Sequence, residues 1–268
     1  MYGKTLLRNL FASLLALFAL LSTGLASAPA RDTRARRPYG QPSRIKLDHL
    51  IRSRFRGYYG KEPWRYLIIE QFYPIGWSRD GKFAYILEPG NEDCDCYVAT
   101  LRIQDLRTDK ILWEFAYTSE PREVSGRREN MSTFWREHRE LFSGKLSEYG
   151  IEAAKPFVLL GPRISHRGDL LSSELSVRKD ASSVGVGQIG KVVLRLDSRQ
   201  KGRKVVYEKS YSPDAHESIV EAKAFGHLKS PYGPIAALIM IEIHYGWEGP
   251  PNTTSIRVIG ANLEEGFR

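Results

Sequence analysis

The sequence has only two cysteines in 268 residues and no apolar stretch long enough to cross a bilayer as a helix. A spanning helix needs about 20 apolar residues, whereas the apolar run Leu10–Leu21 has 12. Farther along the chain, the longest such run, Ile235–Ile241, has only the length of a strand. These two shortages exclude a closed four-cysteine metal site and argue against a transmembrane helix in the mature chain.

The folded part of the chain also lacks net charge. Residues 1–60 hold 11 Lys and Arg against two Asp and Glu, which accounts for the whole net charge of +9. The other 208 residues hold 29 charges of each sign. The high isoelectric point therefore describes the N-terminal segment, and the sequence does not favour a nucleic-acid partner.

The N-terminal segment has the pattern of an export signal. Lys4 and Arg8 precede the apolar run Leu10–Leu21, and small residues follow up to Ala30, as signal peptidase requires. We therefore expect residues 1–30 to be a signal peptide and the protein to be periplasmic or extracellular. Residues 31–60 form a basic tail that is disordered or partly ordered, with a disordered linker over 31–44. The tail is either solvated or in weak contact with an anionic surface.

Residues 61–268 predict a mainly β domain. The turn Asp80-Gly81 is followed by alternation in Phe83–Leu87, and period-two alternation recurs in Tyr97–Gln104 and Ile111–Phe115, which indicates an antiparallel meander. Helical spacing over Ser132–Tyr149 predicts one amphipathic helix, ended by Gly150. We interpret His138 in that helix as a packed, hydrogen-bonded residue.

The second half of the chain again has β patterns. Alternation predicts strands near residues 192–197, 205–207, 218–225 and 254–261, and Ile235–Ile241, apolar throughout, has the pattern of a strand buried on both faces. The order of glycine, turn, strand, loop and strand in residues 75–110 recurs in 225–266. This echo suggests two related halves, 61–155 and 156–268, with convergent hairpin design as the alternative.

The segment Gly76–Ile86, GWSRDGKFAYI, resembles the strand-entry motif of WD-like propeller blades in periplasmic proteins such as the Tol-system propeller. The motif occurs once in this chain. Over residues 65–268 the sequence also resembles a bacterial family of predicted secreted proteins of unknown function. These resemblances imply export and a mainly β fold of antiparallel meanders, either propeller-blade-like or a sandwich, and they imply no activity.

Cys94-Asp95-Cys96 is the sharpest local feature. Export favours a disulfide between the two cysteines, although residues this close can be bridged only if the backbone bends. A strained bridge of this kind would be redox-active. The two thiolates could alternatively hold a metal, but four ligands are needed for a closed site. We expect the disulfide and no metal or cofactor.

The remaining candidates are weaker. Gly185–Gly190 matches G-x-G-x-x-G, but a strand pattern follows it where a dinucleotide site needs a helix, so we interpret it as a flexible turn. Glu242 and His244 share one strand face, where they could bind a metal or move a proton, or simply mark a strand end in solvent.

The loop that begins at Tyr245 is the best binding candidate. Tyr245, Trp247 and Glu248 lie in a segment stiffened by two prolines, and such aromatic side chains bind partners at low entropic cost. The alternative is a tryptophan folded back on the sheet. No catalytic motif is present, so we expect a non-enzymatic binding domain for an envelope protein or polymer, with a redox or metal protein and a purely structural domain as alternatives.

Overall fold

A computed structural model describes residues 39–58, 67–90, 95–153, 157–180, 188–211, 219–246 and 251–268. Over these residues the protein is mainly β, as the alternation predicts. The strands, numbered in chain order, are β1 Leu67–Ile68, β2 Gln71–Trp77, β3 Lys82–Glu88, β4 Val98–Asp105, β5 Lys110–Thr118, β6 Glu152–Ala153, β7 Arg163–His166, β8 Asp169–Asp180, β9 Gln188–Ser198, β10 Gly202–Ser210, β11 Ile219–Lys229, β12 Ile235–His244 and β13 Asn252–Asn262.

The helices are short and occupy two places in the chain. They are α1 Asp48–Arg54, α2 Arg122–Ser125, α3 Met131–Glu137 and α4 Arg139–Glu148, with a 3-10 turn at Arg56–Tyr58. No helix in the described ranges combines the length and the apolarity needed to cross a membrane.

The strands form three sheets. Sheet A has the order β5-β4-β3-β2-β6, sheet B the order β1-β13-β12-β11, and sheet C the order β10-β9-β8-β7. All neighbouring pairs are antiparallel except β1 and β13. The predicted meander of Phe83–Leu87, Tyr97–Gln104 and Ile111–Phe115 is therefore confirmed as β3, β4 and β5, and β2 precedes it as a further antiparallel strand.

Three apolar cores lie on the faces of these sheets. The first joins sheet A, sheet B and α1, and the second joins the opposite face of sheet B to sheet C. The third joins the outer face of sheet A to α3 and α4. Strand β12 lies in the middle of the stack, with Ile239 and Ile241 in the first core and Leu238 and Met240 in the second. This double burial confirms the interpretation of Ile235–Ile241.

The predicted helix over 132–149 is wrong in one respect, because it is two helices that meet at His138. The His138 ring lies 3.0 Å from the Phe134 carbonyl oxygen and packs against Phe115 and Phe142. This contact keeps the ring in the third core and confirms that His138 is packed and hydrogen-bonded. Gly150 ends the second helix with a φ of +67°.

The predicted disordered linker is wrong at residues 39–44, the part of it that the structure describes. Tyr39 donates a hydrogen bond to the Ile151 carbonyl oxygen, and Ile45 pairs with Phe72 of β2. Phe55, just after α1, is buried in the first core. Residues 39–58 therefore pack against the domain, because their few apolar side chains find a place in its core.

The two segments of the internal echo have the same local architecture. Strands β2-β3-β4 and β11-β12-β13 are both three-stranded antiparallel meanders. The first strand of each has a register shift next to a glycine, Gly76 or Gly226. A Cβ at either glycine would lie within 2.2 Å of a backbone oxygen, that of Glu152 or of Leu160 respectively. The division of the chain into related halves stays a prediction.

Candidate binding cleft

A cleft of about 620 Å³ lies between sheet A and strand β13. It exists because β1 pairs with only the first two residues of β13, so the following residues of that edge face side chains of sheet A instead of a strand. The lining side chains come from sheet A, from β13 and from the neighbouring strand ends: Glu70, Tyr85, Leu87, Pro89, Thr100, Arg102, Gln104, Asp109, Ile111, Tyr207, His244, Ser255, Ile256, Arg257 and Val258.

Side chains replace the missing strand at this edge. The Glu70 carboxylate accepts a hydrogen bond from the Ile256 N–H. The Gln104 side-chain amide donates to the Val258 carbonyl oxygen at 3.2 Å. An unpaired strand edge is a template for unwanted pairing, and these bonds satisfy it with polar groups that also face the cleft.

Asp109 satisfies one more backbone group at this edge of β13. Its Oδ1 atom accepts the Gly260 N–H at 2.8 Å and the Gln104 Nε2 at 2.6 Å. Gly260 permits this approach, because a Cβ there would lie 2.0 Å from the Leu106 carbonyl oxygen. The hairpin turn between β4 and β5 is thereby held against β13.

Glu242 is the most buried charge of the site, with a side chain that is 0% exposed. Its Oε2 lies 3.0 Å from the Arg257 Nη2, and its Oε1 accepts a short hydrogen bond from the Tyr211 hydroxyl. Ser255, which is directly across from Glu242 in the ladder, has its Oγ 2.7 Å from the His244 Nε2. The adjacent strands β12 and β13 thus carry one connected polar network between sheets B and C.

One donor of this network lacks a partner among the described residues, because Arg257 Nε is buried without a hydrogen bond. The Arg257 guanidinium lies over the Tyr207 ring, with its central carbon 5.4 Å from the ring centroid. A buried donor without a partner costs about 1–3 kcal/mol, so Arg257 has unused capacity for a bound acceptor.

A second arginine lies on the opposite wall. Arg102 projects from β4, and its Nε donates to the Glu114 carboxylate at 2.6 Å. The side chains of this pair are 34% and 42% exposed. The two arginines therefore differ in the burial of their partners, because Glu114 is at the surface and Glu242 is not.

Burial shifts the pKa values of the cleft carboxyl groups. Desolvation raises the pKa of Glu70 to about 7, and the Ile256 N–H, Arg102 and Arg257 only partly oppose this rise. Desolvation likewise raises the pKa of Asp109. Burial by itself would lower the pKa of Arg257, but its pKa is raised because the Glu242 carboxylate stabilises the charged guanidinium.

Some of the site residues predicted from sequence lie at this cleft, and others lie outside the described residues. Glu242 and His244 do share a face, but Glu242 is fully buried, so the interpretation of the pair as a strand end in solvent is wrong for Glu242. Tyr245 is 43% exposed and directly follows the cleft residue His244. Trp247 and Glu248 lie outside the described residues, and their predicted binding role stays a prediction.

Of the two cysteines, only Cys96 lies within the described residues. Cys96 is half-buried and lines a smaller cleft of about 490 Å³, together with Pro89, which also borders the main cleft. Cys94 lies outside the described residues, so the predicted disulfide stays a prediction. Within the described ranges, no group of three or more His, Cys, Asp or Glu side chains could hold a metal ion. Residues 185–187 of the glycine motif are also outside the described ranges, whereas Gly190 lies in β9.

Most of the cleft was missed by the sequence reasoning. Glu70, Arg102, Gln104 and Asp109 look like ordinary polar positions in strands and turns, and Arg257 looks like one polar step in an alternating strand. One signal was available: Glu242 directly follows the fully apolar run that ends at Ile241. A carboxylate at the end of a doubly buried strand needs a cationic partner.

Comparisons of the chain with protein-family models, with curated proteins and with solved structures find no significant match.

Proposed function

We propose that the protein is an exported, non-enzymatic binding protein whose ligand site is the cleft between sheet A and β13. The observation that carries this proposal is the convergence of arginine, carboxyl, hydroxyl and imidazole side chains from three sheets on one concave space. Ligand sites are concave and hold a few placed polar groups. Strands position such groups with little conformational freedom, which favours binding.

Export and the finer fold belong to the same proposal. The N-terminal pattern of residues 1–30 supports export to the periplasm or the cell surface. The stack of three antiparallel sheets, with one three-stranded meander in sheet A and another in sheet B, is compatible with propeller-blade-like units, and a sandwich is the alternative. Tyr245, the first residue of the predicted binding loop, directly follows the cleft residue His244.

A substitution that fills the cleft tests the proposal. Thr100 lies on β4 and lines the cleft, so we expect Thr100→Trp to abolish ligand binding by steric exclusion. Ligand-observed NMR with a library of polar fragments measures this on the mature protein. The matched control is Ser172→Trp on an exposed position of β8 in sheet C, which should retain every hit. Equal hit patterns in all three proteins would contradict the assignment and favour a structural domain.

A second candidate function rests on the pair formed by Ser255 and His244. Their 2.7 Å contact in the cleft is the geometry of a nucleophile and its general base. The Ser255 oxygen would attack an acyl carbon while His244 takes the proton, and the bond to the leaving group would break as His244 returns that proton to it. Water, deprotonated by His244, would then hydrolyse the acyl ester, releasing a carboxylic acid and restoring the Ser255 hydroxyl. The competing arrangement has His244 donating to Ser255, whose hydroxyl then donates to Glu242 at 3.5 Å.

A fluorophosphonate probe separates these two arrangements. If Ser255 is nucleophilic, the mature protein is labelled at Ser255, and Ser255→Ala removes the label while Ser172→Ala keeps it. Intact-protein mass spectrometry and peptide mapping measure the adduct. A wild-type protein that stays unlabelled after prolonged incubation eliminates the hydrolase candidate and leaves the binding function. The redox and metal alternatives at Cys94 and Cys96 have support from the sequence only.

A further inference from the structure

We propose that the cleft binds a small anionic ligand through an oxyanion group, a carboxylate or a phosphate, held between the guanidinium groups of Arg102 and Arg257. This inference rests on the proposed function, because it names the chemistry of the ligand that the cleft takes. It goes beyond that function by assigning the charge of the ligand and the two residues that recognise it.

Both arginines are held in place before any ligand arrives. Arg102 is anchored by Glu114 at 2.6 Å and Arg257 by Glu242 at 3.0 Å. About a third of each arginine side chain is nevertheless exposed, 34% and 32% respectively, and both line the cleft. Because the anchors fix the side chains, little rotamer entropy remains to be lost on binding.

The unused hydrogen-bonding capacity of the cleft consists of donors. A guanidinium has five N–H donors, and the anchoring contact of each arginine is made through one nitrogen. Arg257 Nε is buried and has no hydrogen-bond partner among the described residues. A ligand that supplies acceptor oxygens would satisfy this donor, and paired N–H donors match the two oxygens of an oxyanion.

Each cleft carboxylate, in contrast, already accepts at least one hydrogen bond from the protein. Glu70 Oε2 accepts the Ile256 N–H, and Asp109 Oδ1 accepts both the Gly260 N–H and the Gln104 amide. These bonds hold the two carboxylates against β13, and a cationic ligand would also meet two fixed guanidinium groups. The arrangement therefore favours an anion.

The size of the cleft restricts the ligand further. Its volume of about 620 Å³ falls within the usual range of about 300–1,000 Å³ for small-molecule sites. Apolar lining at Leu87, Ile111 and Val258 suits a carbon skeleton beside the charged group. A small organic anion fits both features.

Binding of an anion should strengthen as Glu70 takes up a proton. The charged and titratable groups around Glu70 are Arg102 on β4, Arg257 and its partner Glu242, Asp109 after β4, and His244 at the end of β12. Loss of the Glu70 charge removes a negative group that faces the ligand. The substitution Glu70→Gln should therefore flatten the pH dependence that is due to Glu70.

The test uses the mature protein with two probes, inorganic phosphate and glucuronate, in a buffer without other multivalent anions. Isothermal titration and the side-chain Nε–Hε signals of arginine in ¹⁵N NMR measure binding. We expect saturable binding of one or both probes, with the Arg257 signal shifted. The preferred probe distinguishes a phosphate ligand from a carboxylate ligand.

The variants Arg102→Gln and Arg257→Lys identify the site. Each should weaken binding by about 10-fold to 100-fold, since a charge-assisted or bidentate contact is lost. Lysine keeps the charge beside Glu242 and so protects folding. The control is Arg195→Gln in sheet C, where Arg195 donates to Ser176 at 2.8 Å, and it should leave binding unchanged.

Three outcomes would overturn the inference, and they differ in what they say of the proposed function. If neutral fragments shift cleft signals while both anions fail at millimolar concentrations, the cleft binds ligands but not through an oxyanion. If no compound shifts any cleft signal, the proposed function fails together with the inference. If Arg102→Gln and Arg195→Gln weaken anion binding equally and the charge-conserving Arg257→Lys leaves it unchanged, the binding is general charge attraction and the assignment is wrong.

Discussion

Replacing Glu242 with leucine is expected to destabilise the folded protein by about 3–5 kcal/mol, the usual cost of removing one partner of a buried ion pair. Glu242 has no exposed side-chain surface and neutralises Arg257 at 3.0 Å. It also accepts the Tyr211 hydroxyl. The variant leaves a guanidinium and a phenol without their acceptor between two packed sheets. Urea unfolding at constant pH measures the loss.

The chain contains a matched control for this variant in Glu114. Glu114 also pairs with an arginine, Arg102, but its side chain is 42% exposed. Surface ion pairs contribute about 1 kcal/mol or less, so Glu114→Leu should cost little. The double variant Glu242→Leu, Arg257→Leu should recover part of the stability, because no unpaired charge then remains. Equal losses for Glu242→Leu and Glu114→Leu would mean that water reaches Glu242.

The second large effect is a pH-dependent gain of stability in Glu70→Gln. The pKa of Glu70 rises from 4.5 in the unfolded chain to about 7 in the fold, chiefly by desolvation. Between these two values the folded state holds a proton that the unfolded state has released. Stability therefore falls as pH rises from 4.5 to 7 and stays level above it, by about 3 kcal/mol in total.

Glutamine removes this titration but keeps an oxygen that can accept the Ile256 N–H. Relative to the wild type, Glu70→Gln should therefore gain about 3 kcal/mol in unfolding free energy between pH 5 and pH 8. Urea unfolding at several pH values measures the difference, in which the titration of other groups cancels. The exposed Glu208 has a pKa lowered by Lys191, so Glu208→Gln should show no such trend. A constant difference for Glu70→Gln would show that Glu70 is ionised throughout.

The hairpin of β7 and β8 shows why part of the fold could not be predicted from the sequence. Its turn is Arg167-Gly168, with φ angles of +48° and +80°. Such a turn is usually signalled by Asn-Gly or Asp-Gly. The sequence Arg-Gly does not indicate that the arginine adopts the left-handed conformation. Strand β8 also alternates weakly, because serine and glutamate lie between its apolar positions. By contrast, Asp80-Gly81 correctly predicts the turn between β2 and β3.

The predicted single helix over residues 132–149 illustrates a different limit. Its apolar spacing correctly identified the buried side chains Phe134, Phe142 and Leu146. At the interruption, His138 packs against Phe115 of β5, a contact that is not visible in local spacing. Periodicity reports which face is buried, whereas helix continuity also depends on the neighbour it packs against.

The sequence by itself determined the features that depend on residues close to one another in the chain. Alternation placed the meander β3 to β5 and the doubly buried strand β12, and charge counting separated the basic N-terminal segment from a neutral domain. These features follow from side-chain period and composition, which are local properties of the chain.

Only the tertiary structure decided where the cleft lies and which residues form it. Glu70 and Ile256 are 186 positions apart in the chain, and Gln104 and Val258 are 154 apart. They meet because β1 covers only the start of β13, so polar side chains of distant segments must satisfy the remaining strand edge. The burial of Glu242 likewise results from the stacking of three sheets. A buried charge must be paired with an opposite charge, and Glu242 is paired with Arg257 for this reason.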